Sequence, residues 1–188
     1  MTPLGSPAPA FSLPDFGVNG QGGRRVVSRS DFPRGTPLLV MFICNHCPFV
    51  VFIQDELARL AHAYAGRGVA VVAINANDAT THPEDAPEKM TERARAVGYN
   101  FPYLYDETQE VARAFGAACT PDFFLYDGEH RLVYRGQLDE SRPSNGLPIT
   151  GADLRAALDA VLEGRPVNPD QKPAIGCGIK WKPGHAPA

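Results

Sequence analysis

The sequence predicts an α/β fold with a central mixed β-sheet flanked by helices, and three observations carry that reading. Residues 38–43 and 69–74 are apolar runs with no polar alternation, the pattern of strands buried on both faces. Between them, Phe49, Phe52, Ile53, Leu57, Leu60, Ala61 and Tyr64 recur at three- and four-residue intervals, which lays one apolar stripe along a helix. Two buried strands joined by a helix make a parallel unit with a right-handed crossover. Further on, residues 123–126 and 131–136 flank Asp127 and Gly128 as a hairpin, which adds antiparallel strands to the parallel pair.

The 188 residues suit one domain with a real core, read here as residues 1–164, followed by a proline- and glycine-rich tail over 165–188 that packs on it. A net charge of −3 and a pI near 5.9 argue against nucleic acid or an anionic membrane as the main partner. The N-terminus lacks the basic start and apolar core of a signal peptide, and no stretch reaches the length of a membrane span, so a cytoplasmic, monomeric or weakly associating protein is expected.

Taken in order, residues 1–10 hold three prolines and no periodicity and form an extended lead-in. Phe11, Leu13 and Phe16 alternate ahead of a glycine-rich turn over 17–23, and residues 25–28 complete an N-terminal β-hairpin. The long helix stops at Gly66 and Gly68. The strand after it empties into a polar loop holding Asn75, Asn77, Asp78 and Asp85, at the sheet edge where α/β folds place their sites, although such a loop is also an ordinary solvated turn. Residues 86–98 read as a surface helix with Pro87 near its start and Gly98 at its end, 101–105 as a short strand, and 107–115 as a short helix closed by Gly116. Pro121 stands at a bend just before the hairpin. Residues 137–150 form a loop without a core pattern, and 151–164 a helix with Thr150 as N-cap and Asp153 as its capping-box partner.

The chemistry concentrates where the first strand meets the first helix, at Cys44-Asn45-His46-Cys47-Pro48. Unpaired N–H groups and the helix dipole stabilise a thiolate there. With Asn45 as N-cap, His46 and Cys47 fall in the first turn and Pro48 takes a position that needs no N–H. Cys44 then faces solvent as the attacking thiol, with a pKa below the free value of about 8.5, and Cys47 is the shielded resolving thiol. A protonated His46 favours the thiolate further. In a reducing compartment four cysteines are not a disulfide framework, and a zinc site would need a second ligand pair, whereas Cys119 and Cys177 stand alone.

Taken together, the Cys-Asn-His-Cys-Pro segment at a strand-to-helix junction, Thr120-Pro121 before a hairpin, and the closing helix resemble the thioredoxin superfamily over residues 8–164. More narrowly the chain is similar to thioredoxin-like proteins of the alkyl hydroperoxide reductase and thiol-specific antioxidant group, often called peroxiredoxin-like, whose N-terminal hairpin resembles Pro-Ala-Phe-Ser-Leu-Pro-Asp-Phe-Gly. The resemblance implies a thioredoxin-like fold, Cys44 as nucleophile, Cys47 as resolving cysteine and Pro121 as a cis proline. It makes Thr120 face the disulfide and offer its backbone to an extended substrate segment.

Two departures matter. Ile43 stands where thioredoxins usually carry tryptophan, which argues against thioredoxin's usual partners. Peroxiredoxins resemble this chain with threonine at the Cys44 position and the peroxidatic cysteine at Cys47, so a second thiol here favours disulfide exchange over peroxide reduction.

The function expected is thus thiol:disulfide exchange on protein or small-molecule thiols and disulfides, with no cofactor and no metal, and with a couple more oxidising than thioredoxin's value of about −270 mV. A thiol peroxidase acting on hydroperoxides through Cys47 or Cys44, and a zinc or redox-sensor module, are the alternatives. Cys119 and Cys177 are candidate additional redox thiols. The tail is expected to fold across the site so that Cys177 exchanges with Cys44 or Cys119.

Overall fold

The computed structural model describes residues 2–187. Two short strands open the chain, β1 (Ser12–Pro14) and β2 (Val26–Ser28), paired antiparallel as the expected hairpin. The core begins with β3 (Leu38–Phe42), α1 (Pro48–Ala65) and β4 (Ala70–Asn75). Next come α2 (Pro87–Val97), β5 (Tyr103–Tyr105) and α3 (Glu110–Phe115). Two-residue β6 (Cys119–Thr120) leads into β7 (Asp122–Tyr126) and β8 (Leu132–Gly136), then α4 (Ala152–Leu162) and a last strand, β9 (Cys177–Gly178).

The central sheet runs β5-β4-β3-β7-β8, with β3, β4 and β5 parallel and β7 antiparallel to both its neighbours. It is the mixed sheet the two apolar runs and the hairpin implied. Because side chains alternate along a strand, β3 feeds two cores at once. Leu39 and Met41 join Leu57, Leu60 and Leu158 on the face covered by α1 and α4, while Leu38, Val40 and Phe42 join Phe115 and Phe124 on the other. All five β3 residues are fully buried, at about 1.5–3 kcal/mol per large apolar side chain. The segment that follows β3 is therefore delivered to one fixed place. Among the described residues no helix is long and apolar enough to cross a membrane.

Two expected helix caps are corrected. The N-cap of α1 is Cys47, not Asn45, with Pro48 in the first turn. Asn45 cannot cap because its N–H and its side chain are already bonded to the 82–86 turn and to Tyr103. For α4 the N-cap is Gly151, in a left-handed conformation at φ 67°, rather than Thr150. The expected box partner Asp153 instead accepts a hydrogen bond from the Gln137 side chain.

The reason lies in the supposedly coreless loop 137–150, where Gln137, Leu138, Asp139 and Ser141 are all buried. The Asp139 carboxylate accepts hydrogen bonds from the N–H groups of Ser141, Thr150 and Gly151 and from the Ser141 hydroxyl. Asp139, not Thr150, organises the start of α4. Burial pushes the Asp139 carboxyl up, but these donors outweigh it and hold the group below its usual range.

Replacing Asp139 by Ala leaves three backbone donors without a partner and is expected to lower stability by about 2–4 kcal/mol in urea unfolding. Because the folded carboxyl is the stronger acid, its contribution is intact above the unfolded pKa of about 3.9 and is lost as pH falls through the lower folded value. The stability difference between wild type and Asp139→Ala therefore shrinks in acid.

Candidate active site

Cys44, Asn45, His46 and Cys47 form the link between the buried end of β3 and the first turn of α1. Both thiols are covered, Cys44 being 2% exposed and Cys47 fully buried. This corrects the expectation of a solvent-facing Cys44. Thr120 spans the pair, its hydroxyl 3.3 Å from the Cys44 sulfur and its carbonyl 3.3 Å from that of Cys47. The Thr120–Pro121 bond is cis, as the resemblance implied.

Below the pair lies a buried carboxylate, Asp85, in the turn that ends the loop after β4. It accepts the Asn45 N–H at 2.7 Å, the Asn77 side-chain amide at 2.8 Å and the His46 ring at 2.5 Å. His46 stacks on His82, with ring centroids 5.1 Å apart. His46 is thus bound to Asp85 rather than aimed at the sulfurs. Asn45 is buried and spent on structure, its side chain bonding Glu84 and Tyr103 and its carbonyl receiving Arg93.

The surroundings divide the proton between the thiols. The Cys47 acidity is strengthened by a hydrogen bond from the Cys44 thiol, against burial, and then by the Cys177 thiol and the N–H groups of Val50 and Cys177. Cys44 is pushed up by giving that hydrogen bond, by burial and by the charge of Asp85. Asp85 therefore opposes charge on Cys44, while the open N-terminus of α1 favours charge on Cys47, where the Thr120 carbonyl 3.3 Å away opposes it. The helix end lies nearer Cys47 and the carboxylate nearer Cys44, and both pull in the same direction.

Cys44, His46 and Asp85 also place one ligand-type atom each within 4.8 Å of one another. The carboxylate of that trio is already shared among three partners of the fold.

Of the outlying thiols, Cys177 lies on β9, which pairs antiparallel with β6 so that Cys177 stands opposite Thr120. The backbone edge expected to receive a substrate segment is occupied by the protein's own tail. Cys119, one residue along, turns to the Pro121 carbonyl, and burial together with Asp122 pushes its thiol up to about 12.

Against this geometry, the family model described as the AhpC/TSA family matches residues 4–135. The chain belongs to the AhpC/TSA family. Its fold is that of two solved relatives: an uncharacterized conserved protein from Geobacillus kaustophilus, 58% identical over 97% of this chain and 94% of that one with a TM-score of 0.92, and a hypothetical protein from Sinorhizobium meliloti 1021, 54% identical over 98% and 97% with a TM-score of 0.93. The thioredoxin domain of a thiol-disulfide oxidoreductase from Bacteroides vulgatus shares the fold at 21% identity, over 76% and 91% of the two chains, with a TM-score of 0.58. A search of the curated proteins found no match. Family and fold make this AhpC/TSA member a thioredoxin-like redox protein.

Sequence reasoning missed Asp85 and Asn77 as site residues. The available signal was their place after the carboxyl end of β4, next to the end of the parallel β3.

Alkylation rates measured against pH check the charge assignment. Cys44→Ser is expected to keep a thiolate that titrates below the free-cysteine value of about 8.5, and Cys47→Ser to lose it. The opposite result restores Cys44 as the acidic thiol.

Proposed function

We propose that this protein is a thiol:disulfide oxidoreductase working through Cys44 and Cys47 without a bound cofactor. The observation that carries the reading is a pair of thiols at the N-terminus of α1, each 3.3 Å from an oxygen of Thr120, beside the cis Thr120–Pro121 bond. The Cys47 thiolate attacks a disulfide R–S–S–R′, forming a Cys47–R mixed disulfide and releasing R′ as a thiolate that takes up a proton. Cys44 then loses its proton and attacks the Cys47 sulfur. The bond to R breaks, R leaves as thiol, and the Cys44–Cys47 disulfide remains. The proton that Cys44 loses is balanced by the one the departing R thiolate takes up.

A thiolate held by the helix end stabilises the reduced form, so the couple is more oxidising than thioredoxin's at about −270 mV. The oxidant is a protein or small-molecule disulfide.

A second reading, thiol peroxidase, draws support from the same charge on Cys47, the position that resembles the peroxidatic cysteine. Against it, Cys44 stands where that resemblance puts threonine. A zinc module built on Cys44 would silence exchange, and protein purified under reducing conditions is expected to carry far less than stoichiometric zinc.

Stopped-flow fluorescence of Trp181 separates the first two. Glutathione disulfide is expected to oxidise the reduced protein to a Cys44–Cys47 bond, with hydrogen peroxide reacting no faster than with an ordinary thiol. A potential at or below thioredoxin's overturns the more oxidising couple, and fast peroxide consumption with no reaction toward glutathione disulfide overturns the exchange reading.

A further inference from the structure

The tail does more than pack. It enters the site as a strand, with Cys177 opposite Thr120 and Gly178 opposite Cys119. Gly176 is pressed so closely on the Thr120 carbonyl that a Cβ there would sit 2.0 Å from its oxygen. Only glycine lets the chain approach that far. The contact sets Cys177 beside Thr120, whose carbonyl lies 3.3 Å from the Cys47 sulfur, and Cys177 packs on the core cluster that holds Cys44 and Cys47.

Anchors on the far side fix the segment. The Ile179 N–H bonds the Ala118 carbonyl, and the Lys180 N–H and carbonyl bond the Asn77 side chain and the Asp78 N–H. The Gln109 side chain holds both the Lys180 carbonyl and the Lys182 N–H. Ile179 is buried and Trp181 packs against the same core. Upstream, the Lys172 carbonyl lies where a Cβ on Gly136 would be, 2.3 Å away, and accepts the Gln137 N–H.

We infer that Cys177 is a third exchange thiol, presented to Cys47 in the manner of a substrate strand, and that it closes a Cys47–Cys177 disulfide. The inference rests on Cys47 being the attacking thiol of the exchange reading. Once Cys47 carries a mixed disulfide with R, Cys177 gives its proton to solvent and its thiolate attacks the Cys47 sulfur. The Cys47–R bond breaks and R leaves as a thiolate that is then protonated. Two protein thiols are oxidised, and the external disulfide is reduced to two thiols. Cys177 therefore competes with Cys44 for the same sulfur. This names Cys47 where the sequence pointed to Cys44 or Cys119. Of the two competitors Cys177 is also the less strongly held as thiol, pushed up to about 11, first by burial. The docked strand has a second effect, since a protein segment cannot pair with Thr120 while β9 occupies that edge.

The test is disulfide mapping by mass spectrometry after reduced protein is treated with glutathione disulfide and quenched by alkylation. In wild type, peptides joined Cys47–Cys177 are expected alongside Cys44–Cys47. In Cys44→Ser, the Cys47–Cys177 bond is expected to exceed the Cys47–glutathione adduct by about tenfold, because a tethered thiol outcompetes a dilute one. Persistence of the glutathione adduct in Cys44→Ser with Cys177 still open to alkylation, together with no Cys47–Cys177 peptide from wild type, overturns the inference and leaves the exchange reading standing. Wild-type protein in which glutathione disulfide modifies neither Cys44 nor Cys47 overturns both.

Discussion

The site depends on one buried carboxylate. Asp85 is wholly inside the protein, and an unpaired charge there would cost several kcal/mol, so each of its partners is obligatory rather than ornamental. Those partners come from separate pieces of chain: Asn45 and His46 from the link between β3 and α1, and Asn77 from the loop after β4. The sheet places the two loops side by side because β3 and β4 are parallel neighbours in register from Leu38 with Ala70 to Phe42 with Ile74. Asp85 converts that adjacency into a fixed conformation of the dithiol link.

The same carboxylate gives the two cysteines different characters. A charge near Cys44 opposes ionisation there, while the unpaired N–H groups of α1 favour it at Cys47. Two thiols of one motif, separated by two residues, thereby sit in different electrostatic surroundings.

Much of this was legible in the sequence, and what escaped has a common cause. Residues 38–43, 69–74 and 123–136 announced the sheet because apolar runs and a turn are local signals, and the cysteine motif announced a redox site because its spacing is local too. The N-cap of α1 was misplaced because Asn45 is chemically an excellent cap whose polar groups are claimed by Glu84, Asp85 and Tyr103, residues about 40 or more positions away. Thr150 stands one residue before the cap, its N–H held by Asp139 while its hydroxyl accepts the Ala152 N–H. Strand β9 is two residues long and flanked by glycine, so it has no period to read; only its partner β6 reveals it. His46 was read for its charge, but its Nδ1 lies on Asp85, a contact no spacing rule supplies.

The tail's design follows from what a thiol relay needs. A sulfur that must change partners cannot be held rigidly by its own neighbours, yet it must not drift away from the site. Here the restraints are placed beside Cys177 rather than on it: Lys172 upstream, and Ile179, Lys180 and Lys182 downstream. Cys47 and Cys177 are free thiols, so closing the bond requires a local shift of backbone. Gly178 supplies it, since glycine changes φ and ψ at the smallest steric cost. Gly178 has open space where a side chain would be, while Gly176 is jammed against Thr120, so the strand yields on one side and is braced on the other. A segment built only to fill a groove would gain from a side chain at Gly178, where there is room for one, and its absence fits this strand to move a sulfur.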